Sequence, residues 1–278
     1  MVLERAGLDQ AGERLRTGGP AVRMAQRRGS ERSQRRVQQL ILFDIDGTLL
    51  DSRGAGRRAL ARALCEVVGT AHALAELPLA GRTDPEICRA VLETAGLPPE
   101  RVAQALPRIF ECYPRHLARE LQGCPPRVLP GVQALLEALE HTAGAVVGLL
   151  TGNVTAGARL KLGAAGLAHR FRFGAYGEEA PDRQGLLEVA LGRAARTLGR
   201  QPAPSQVVVL GDTPRDVACA RAGGARAVAV ATGPYDLVAL RACEPDHLFA
   251  DLRETARVLA ALCNGSAAAG QPGAGAEP

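Results

Sequence analysis

Two aspartates stand two residues apart where an apolar run ends, in Asp44-Ile45-Asp46-Gly47-Thr48-Leu49-Leu50-Asp51-Ser52. Carboxylates so placed at a strand end can face one crevice. Burying them is costly unless a cation or hydrogen-bond donors compensate. A hard cation with oxygen ligands meets that need, and Mg2+ held by one or two carboxylates plus a substrate phosphate is the common arrangement. Gly47 is expected to let the backbone turn and present N–H groups to an anion. A second candidate is Leu149-Leu150-Thr151-Gly152-Asn153, where an apolar run ends in Thr-Gly before a helical pattern. A hydroxyl and backbone N–H groups there can bind a phosphate oxygen, although Thr151 or Asn153 could equally cap the helix. The third is Leu210-Gly211-Asp212-Thr213-Pro214-Arg215-Asp216. Asp212 reads as a metal ligand at a strand end. Asp216 reads either as a water-mediated ligand or as the residue that positions Asp212. Thr213, Pro214 and Asp216 also have the spacing of a capping box.

Elements that could position these groups are visible as short apolar runs at 37–43, 145–150, 206–210 and 226–230, with a weaker one at 171–176. Each precedes a helical pattern. That alternation is the signature of βαβ units: a Rossmann-like α/β core, its parallel sheet covered by helices on both faces. Residues 53–127 break the alternation, with helical patterns at 53–68, 84–95 and 99–122 and no good strand. The segment is too long for a loop and reads as an inserted all-helical domain. Its place directly after the first strand's carboxyl end favours a lid. The core is therefore expected at 37–52 and 128–263.

The composition excludes several classes. Apolar residues are 46% and charged residues 23%, an ordinary globular balance. No apolar run approaches the roughly 18–20 residues that span a bilayer. Seven cysteines with no C-x-x-C pair argue for a reducing compartment, read here as the cytoplasm. The net charge of +5 is accounted for by the Arg-rich residues before the first strand. Residues 1–36 read as a disordered basic arm, and 264–278 as a flexible tail. Nucleic acid is a weak expectation for a partner, because aromatic residues are 3% and there is no Trp to stack on bases.

DIDGTLLDS, LLTGN, a basic residue and GDTPRD, in this order, resemble the motif set of the haloacid dehalogenase-like hydrolases. The likeness spans about residues 38–262. The insertion resembles the helical cap of phosphoglycolate phosphatase and β-phosphoglucomutase. The resemblance implies a five-stranded parallel core with the first strand central. It implies Asp44 as a nucleophile that forms an aspartyl-phosphate, and Asp46 as general acid, then base. It implies Mg2+ on the Asp44 carboxylate, the Asp46 carbonyl and Asp212, with Thr151 bonded to the transferring phosphoryl group. Family members often carry Lys-Pro shortly after the third strand. Here the place holds Gly177-Glu178-Glu179-Ala180-Pro181-Asp182-Arg183, so Arg183 is the positional match. The rival is Lys161, the only lysine in the chain, about ten residues beyond Thr151 along a helix. Such an axial offset, roughly 10–15 Å, favours Arg183. Gly81-Arg82-Thr83-Asp84 looks like the family's specificity loop. Arg82 there could meet an anionic leaving group, or be exposed while Asp84 caps the next helix.

Asp46 argues against haloalkanoate dehalogenation, and a cap without lysine against phosphonoacetaldehyde hydrolysis through a Schiff base. The reading is a Mg2+-dependent phosphatase for a small phosphorylated metabolite, phosphoglycolate-like or a sugar phosphate. A phosphomutase shares these motifs. A non-catalytic module binding nucleic acid through the arm is the alternative from another class. The oligomeric state is not readable.

Overall fold

The computed structural model describes residues 39–263. The basic arm, the tail and the first two residues of the expected first strand lie outside the described residues.

Strand β1 (Gln39–Phe43) is buried along its whole length. Its near-continuous apolar run fits a strand covered on both faces. Gln39, its one polar residue, accepts from the Arg226 guanidinium at 3.1 Å. The chain continues through β2 (Leu50–Asp51), α1 (Ala55–Val68), α2 (Asp84–Thr94), α3 (Pro99–Gly123) and β3 (Arg127–Val128). Next come α4 (Val132–Glu140), β4 (Ala145–Leu150), α5 (Thr155–Ala164), β5 (Gly174–Ala175) and α6 (Arg183–Leu198). The last part holds β6 (Val207–Gly211), α7 (Pro214–Ala222), β7 (Arg226–Val230), α8 (Leu237–Arg241), β8 (His247–Phe249) and α9 (Thr255–Cys263).

The main sheet runs β5-β4-β1-β6-β7-β8, and every pairing in it is parallel. Alternate residues of one strand face opposite layers. Ile41 and Phe43 pack with α4, α5 and α9, whereas Leu40 and Leu42 pack with α6, α7 and α8. The sheet differs from the expected one in two respects. The sheet has six strands, not five, because β8 extends the edge beyond β7. The third strand is two residues long rather than spanning 171–176; the ring of Phe173 lies instead over Gly148 of β4, where a Cβ would press on it at 2.6 Å.

The helical segment has its own hydrophobic cluster. Ala59, Leu60, Ala63 and Leu64 of α1 meet Ile109, Tyr113 and Leu117 of α3, with Ile87, Val91 and Leu92 of α2 alongside. Helix α3 runs on through Pro107 and Pro114. Its apolar face is buried against α1, and tertiary packing of that kind outweighs the poor propensity of an interior proline. The antiparallel pair β2–β3 holds the segment's two connections side by side, with Leu50 opposite Val128 and Asp51 opposite Arg127.

Candidate active site

The carboxyl ends of β1, β4 and β6 deliver their motifs to one place. Beyond β1, the backbone folds into a turn in which Leu49 and Leu50 both donate to Ile45 O. Gly47 sits there with φ +78°, and a Cβ on it would collide with Asp212 Oδ2. The glycine is needed for this close approach. Its own N–H donates to Leu50 O at 2.9 Å.

Asp44, Asp212 and Asp216 are buried, and each places a carboxylate oxygen within 4.8 Å of the others. Asp212 Oδ1 accepts from Thr48 Oγ1 at 3.0 Å. Asp216 Oδ2 accepts from Thr213 N at 3.0 Å and Thr213 Oγ1 at 2.6 Å, so the expected capping box is present. Its Oδ1 pairs with Arg183. The same guanidinium lies 3.0 Å from Asp44 Oδ2. Burial pushes the Asp44 carboxyl up to about 6; Arg183 opposes the rise and the charge of Asp216 adds to it. Burial also raises Asp212 far above the ordinary carboxylate range, with Asp216 and Asp44 adding.

Asp46 faces the other way. Its Oδ2 accepts from Lys161 Nζ at 2.6 Å and from Asn153 Nδ2 at 2.9 Å, and its Oδ1 from Ser52 Oγ at 2.8 Å. Burial alone would raise this carboxyl. The Lys161 charge and the bonds from Lys161, Asn153 and Ser52 outweigh it and hold Asp46 below its ordinary value. The Asp46 side chain is thus not in the three-carboxylate cluster.

The structure brings both Arg183 and Lys161 into the site, on different carboxylates. The axial distance that counted against Lys161 is bridged by its side chain. Helix α5 begins at Thr155, and helical side chains lean towards the N-terminus. Lys161 is buried rather than on a solvated face, and its Nζ also donates to Asn153 Oδ1 at 2.6 Å.

Thr151 is fully buried, and its hydroxyl accepts from Asn153 Nδ2 at 2.9 Å. Neither Thr151 nor Asn153 caps α5, whose N-cap is Val154. Gly152 lies against the helical segment, where a Cβ would collide with Arg82 O. Thr83, not Asp84, caps α2. Arg82 borders a cavity of about 450 Å³ together with Asp46, Asn153, Lys161, Asp212 and Gly233. Thr232 and Gly233 carry no motif, yet Thr232 Oγ1 donates to Gly47 O at 2.6 Å and a Cβ on Gly233 would collide with Asp212. Their one signal is position, just past the carboxyl end of β7. Cys219 is buried behind Asp216, with Sγ 3.3 Å from Arg183 O.

The model of the haloacid dehalogenase-like hydrolase family matches residues 41–221. The chain belongs to this family. Over 220 residues it is 32% identical to the phosphoglycolate phosphatase of Synechococcus elongatus, a match covering 76% of this chain and 92% of that protein. It is 30% identical over 220 residues to "Probable phosphatase IndB" of Dickeya dadantii, covering 75% and 88%. Among solved structures, a hydrolase from Pseudomonas syringae superposes with a TM-score of 0.63 at 22% identity, over 82% of this chain and all of that one (100%). The protein is accordingly an enzyme, a phosphatase of this family. No helix among the described residues is long and apolar enough to cross a membrane.

Proposed function

We propose that the protein is a Mg2+-dependent phosphatase that hydrolyses a small phosphate monoester through a phosphoryl group carried on Asp44. One observation carries the metal reading. The buried cluster sets three carboxylates against the single guanidinium of Arg183, while Lys161 is committed to Asp46. The surplus is two negative charges on hard oxygen donors, which suits one divalent hard cation. Asp44 and Asp212 would hold it, with the main-chain carbonyl of Asp46. Asp216, whose oxygens are engaged by Thr213 and Arg183, would keep Asp44 and Asp212 in place. Such an ion supplies charge neutralisation at the phosphoryl oxygens.

The residues then divide the work. Asp44, aligned by Arg183, attacks phosphorus, and the bond from phosphorus to the ester oxygen breaks. Asp46 passes a proton to the departing oxygen. It then takes one from the water that cleaves the Asp44–phosphoryl bond and frees phosphate. The ionised state imposed by Lys161, Asn153 and Ser52 is the one the second step needs. For the first, the proton would come through Asp46 from the Lys161 ammonium in contact with it, and the proton then taken from water would restore that ammonium. The buried Thr151 hydroxyl would donate to the phosphoryl group.

The helical segment would serve as the cap over this site. The cavity wall combines apolar Leu60, Leu79 and Ile87 with Arg82, whose guanidinium has no hydrogen-bond or ion-pair partner among the described residues. That favours a leaving group with an anionic or hydroxyl-rich end. The likeness to a phosphoglycolate phosphatase supports the same class. All seven cysteines are free, which fits a cytoplasmic enzyme. The test is phosphate release from a panel of small phosphate esters with and without Mg2+. Mg2+-dependent release supports the reading. Isomerisation of a sugar phosphate without net release would replace it with a phosphomutase.

A further inference from the structure

Asp84 belongs to the helical segment, yet its polar contacts are with the core. Helix α2 does not need its carboxylate. Thr83 Oγ1 accepts from Glu86 N at 3.2 Å and Glu86 Oε2 accepts from Thr83 N at 2.7 Å, so the capping box is complete without it. Asp84 Oδ2 instead accepts from Val154 N at 2.9 Å, and Asp84 N donates to Gly152 O at 2.8 Å. Two bonds thus tie the segment to the loop that carries Thr151 and Asn153.

Helix α5 lacks a local alternative. In a capping box, the N-cap N–H is taken by an acid or amide at N3. The N-cap of α5 is Val154, and its N3 is Gly157. Gly157 has no side chain to reach back. It is hemmed in by the helical segment, since a Cβ there would meet Tyr113 Cε1 at 3.0 Å. The next amide, Thr155 N, donates to Glu178 at 2.9 and 3.1 Å. The start of α5 is therefore completed by carboxylates from elsewhere in the fold, one of them on the helical segment. Six residues on, the same helix carries Lys161 to Asp46.

We propose that Asp84 is a positioning residue: by completing the N-terminus of α5 across the interface, it makes docking of the helical segment set the loop 151–154 and the lysine behind it. This rests on the phosphatase reading for its consequence in catalysis, but not for the docking itself. Losing a helix cap costs about 1 kcal/mol, about fivefold in a local equilibrium. A displacement of catalytic groups by about 1 Å costs on the order of 100-fold in rate.

The experiment compares wild type, Asp84→Ala and Asp84→Asn by phosphate-release kinetics and by site-resolved amide exchange on the full chain. Asp84→Ala is expected to lower kcat/KM by about 10- to 100-fold. The amide of Val154 should exchange at least about fivefold faster, with β1 amides unchanged. Asp84→Asn keeps an acceptor oxygen and should restore most of both. If Asp84→Ala does not fold, exchange in the wild type decides. The amides of Val154 and Asp84 should then open together and well before those of β1. Unchanged exchange at Val154 in Asp84→Ala would overturn the proposal. So would Asp84→Asn as impaired as Asp84→Ala, or wild-type amides at 84 and 154 that open independently. Should the wild type hydrolyse no ester, the exchange arm still tests the docking, and only the catalytic reading fails.

Discussion

Replacing Lys161 with Met tests the division of labour between the two buried cations. Met roughly keeps the aliphatic stem and removes the ammonium. Asp46 then retains only Asn153 on Oδ2 and Ser52 on Oδ1. Removing one partner of a fully buried pair costs about 3–5 kcal/mol. The Asp46 side chain is 37% exposed, so water recovers much of that. A cost of about 1–2 kcal/mol to the ionised form is the reasonable figure. It corresponds to a rise of about one unit in the acid limb of the pH dependence of kcat/KM. At neutral pH the loss of aligned proton transfer should lower kcat by about 100-fold. Arg should not rescue. Lys161 Nζ bridges Asp46 Oδ2 and Asn153 Oδ1 at 2.6 Å each, a compact point-charge contact that a longer, planar guanidinium does not reproduce. The assay is a set of pH–rate profiles for wild type, Lys161→Met and Lys161→Arg on the best ester of the panel. An acid limb that stays put in Lys161→Met, or full activity in Lys161→Arg, would refute the reasoning.

Three further outcomes are expected. Gly47→Ala should fold but bind Mg2+ at least about tenfold more weakly by calorimetry, because its Cβ must displace the Asp212 carboxylate and adopt a positive φ; wild-type affinity would contradict the packing. In the metal-free protein Asp44 titrates near 6 against 3.8 for a free side chain, so the folded state holds its proton more tightly than the unfolded state. Its contribution to stability is present at acid pH and is lost as the pH rises through about 6, and Mg2+, which needs the ionised form, should raise Tm more above that pH than below it; an equal rise on both sides would count against the cluster as the metal site. Arg82→Ala should raise KM several-fold for an ester with an anionic leaving group and leave kcat nearly unchanged, whereas equal effects on an uncharged analogue would remove Arg82 from recognition.

The α/β core was legible because strands buried on both faces need unbroken apolar runs. The runs at 145–150 and 226–230 coincide with β4 and β7 residue for residue. β8 escaped notice because it has only three residues and lies at the sheet edge, where His247 and Leu248 are only half-buried. The acids were legible from their place at strand ends. The partition of cations was not, since spacing along α5 gives the rise of the axis but not the backward reach of a long side chain. At Gly47 the turn was foreseeable, but the collision that requires a glycine there comes from Asp212, far away in sequence. Likewise Asp84 looked like a local cap, and only the tertiary fold turns its carboxylate towards Val154.

The most direct measurement of the central claim is phosphate release by wild type and Asp44→Asn in Mg2+, paired with mass spectrometry of acid-quenched Asp46→Asn during turnover. The expected result is Mg2+-dependent release that vanishes in Asp44→Asn, with a phosphoryl group found on the Asp44 peptide of Asp46→Asn. Release that persists in Asp44→Asn, with contaminating phosphatase excluded, would contradict the covalent role of Asp44.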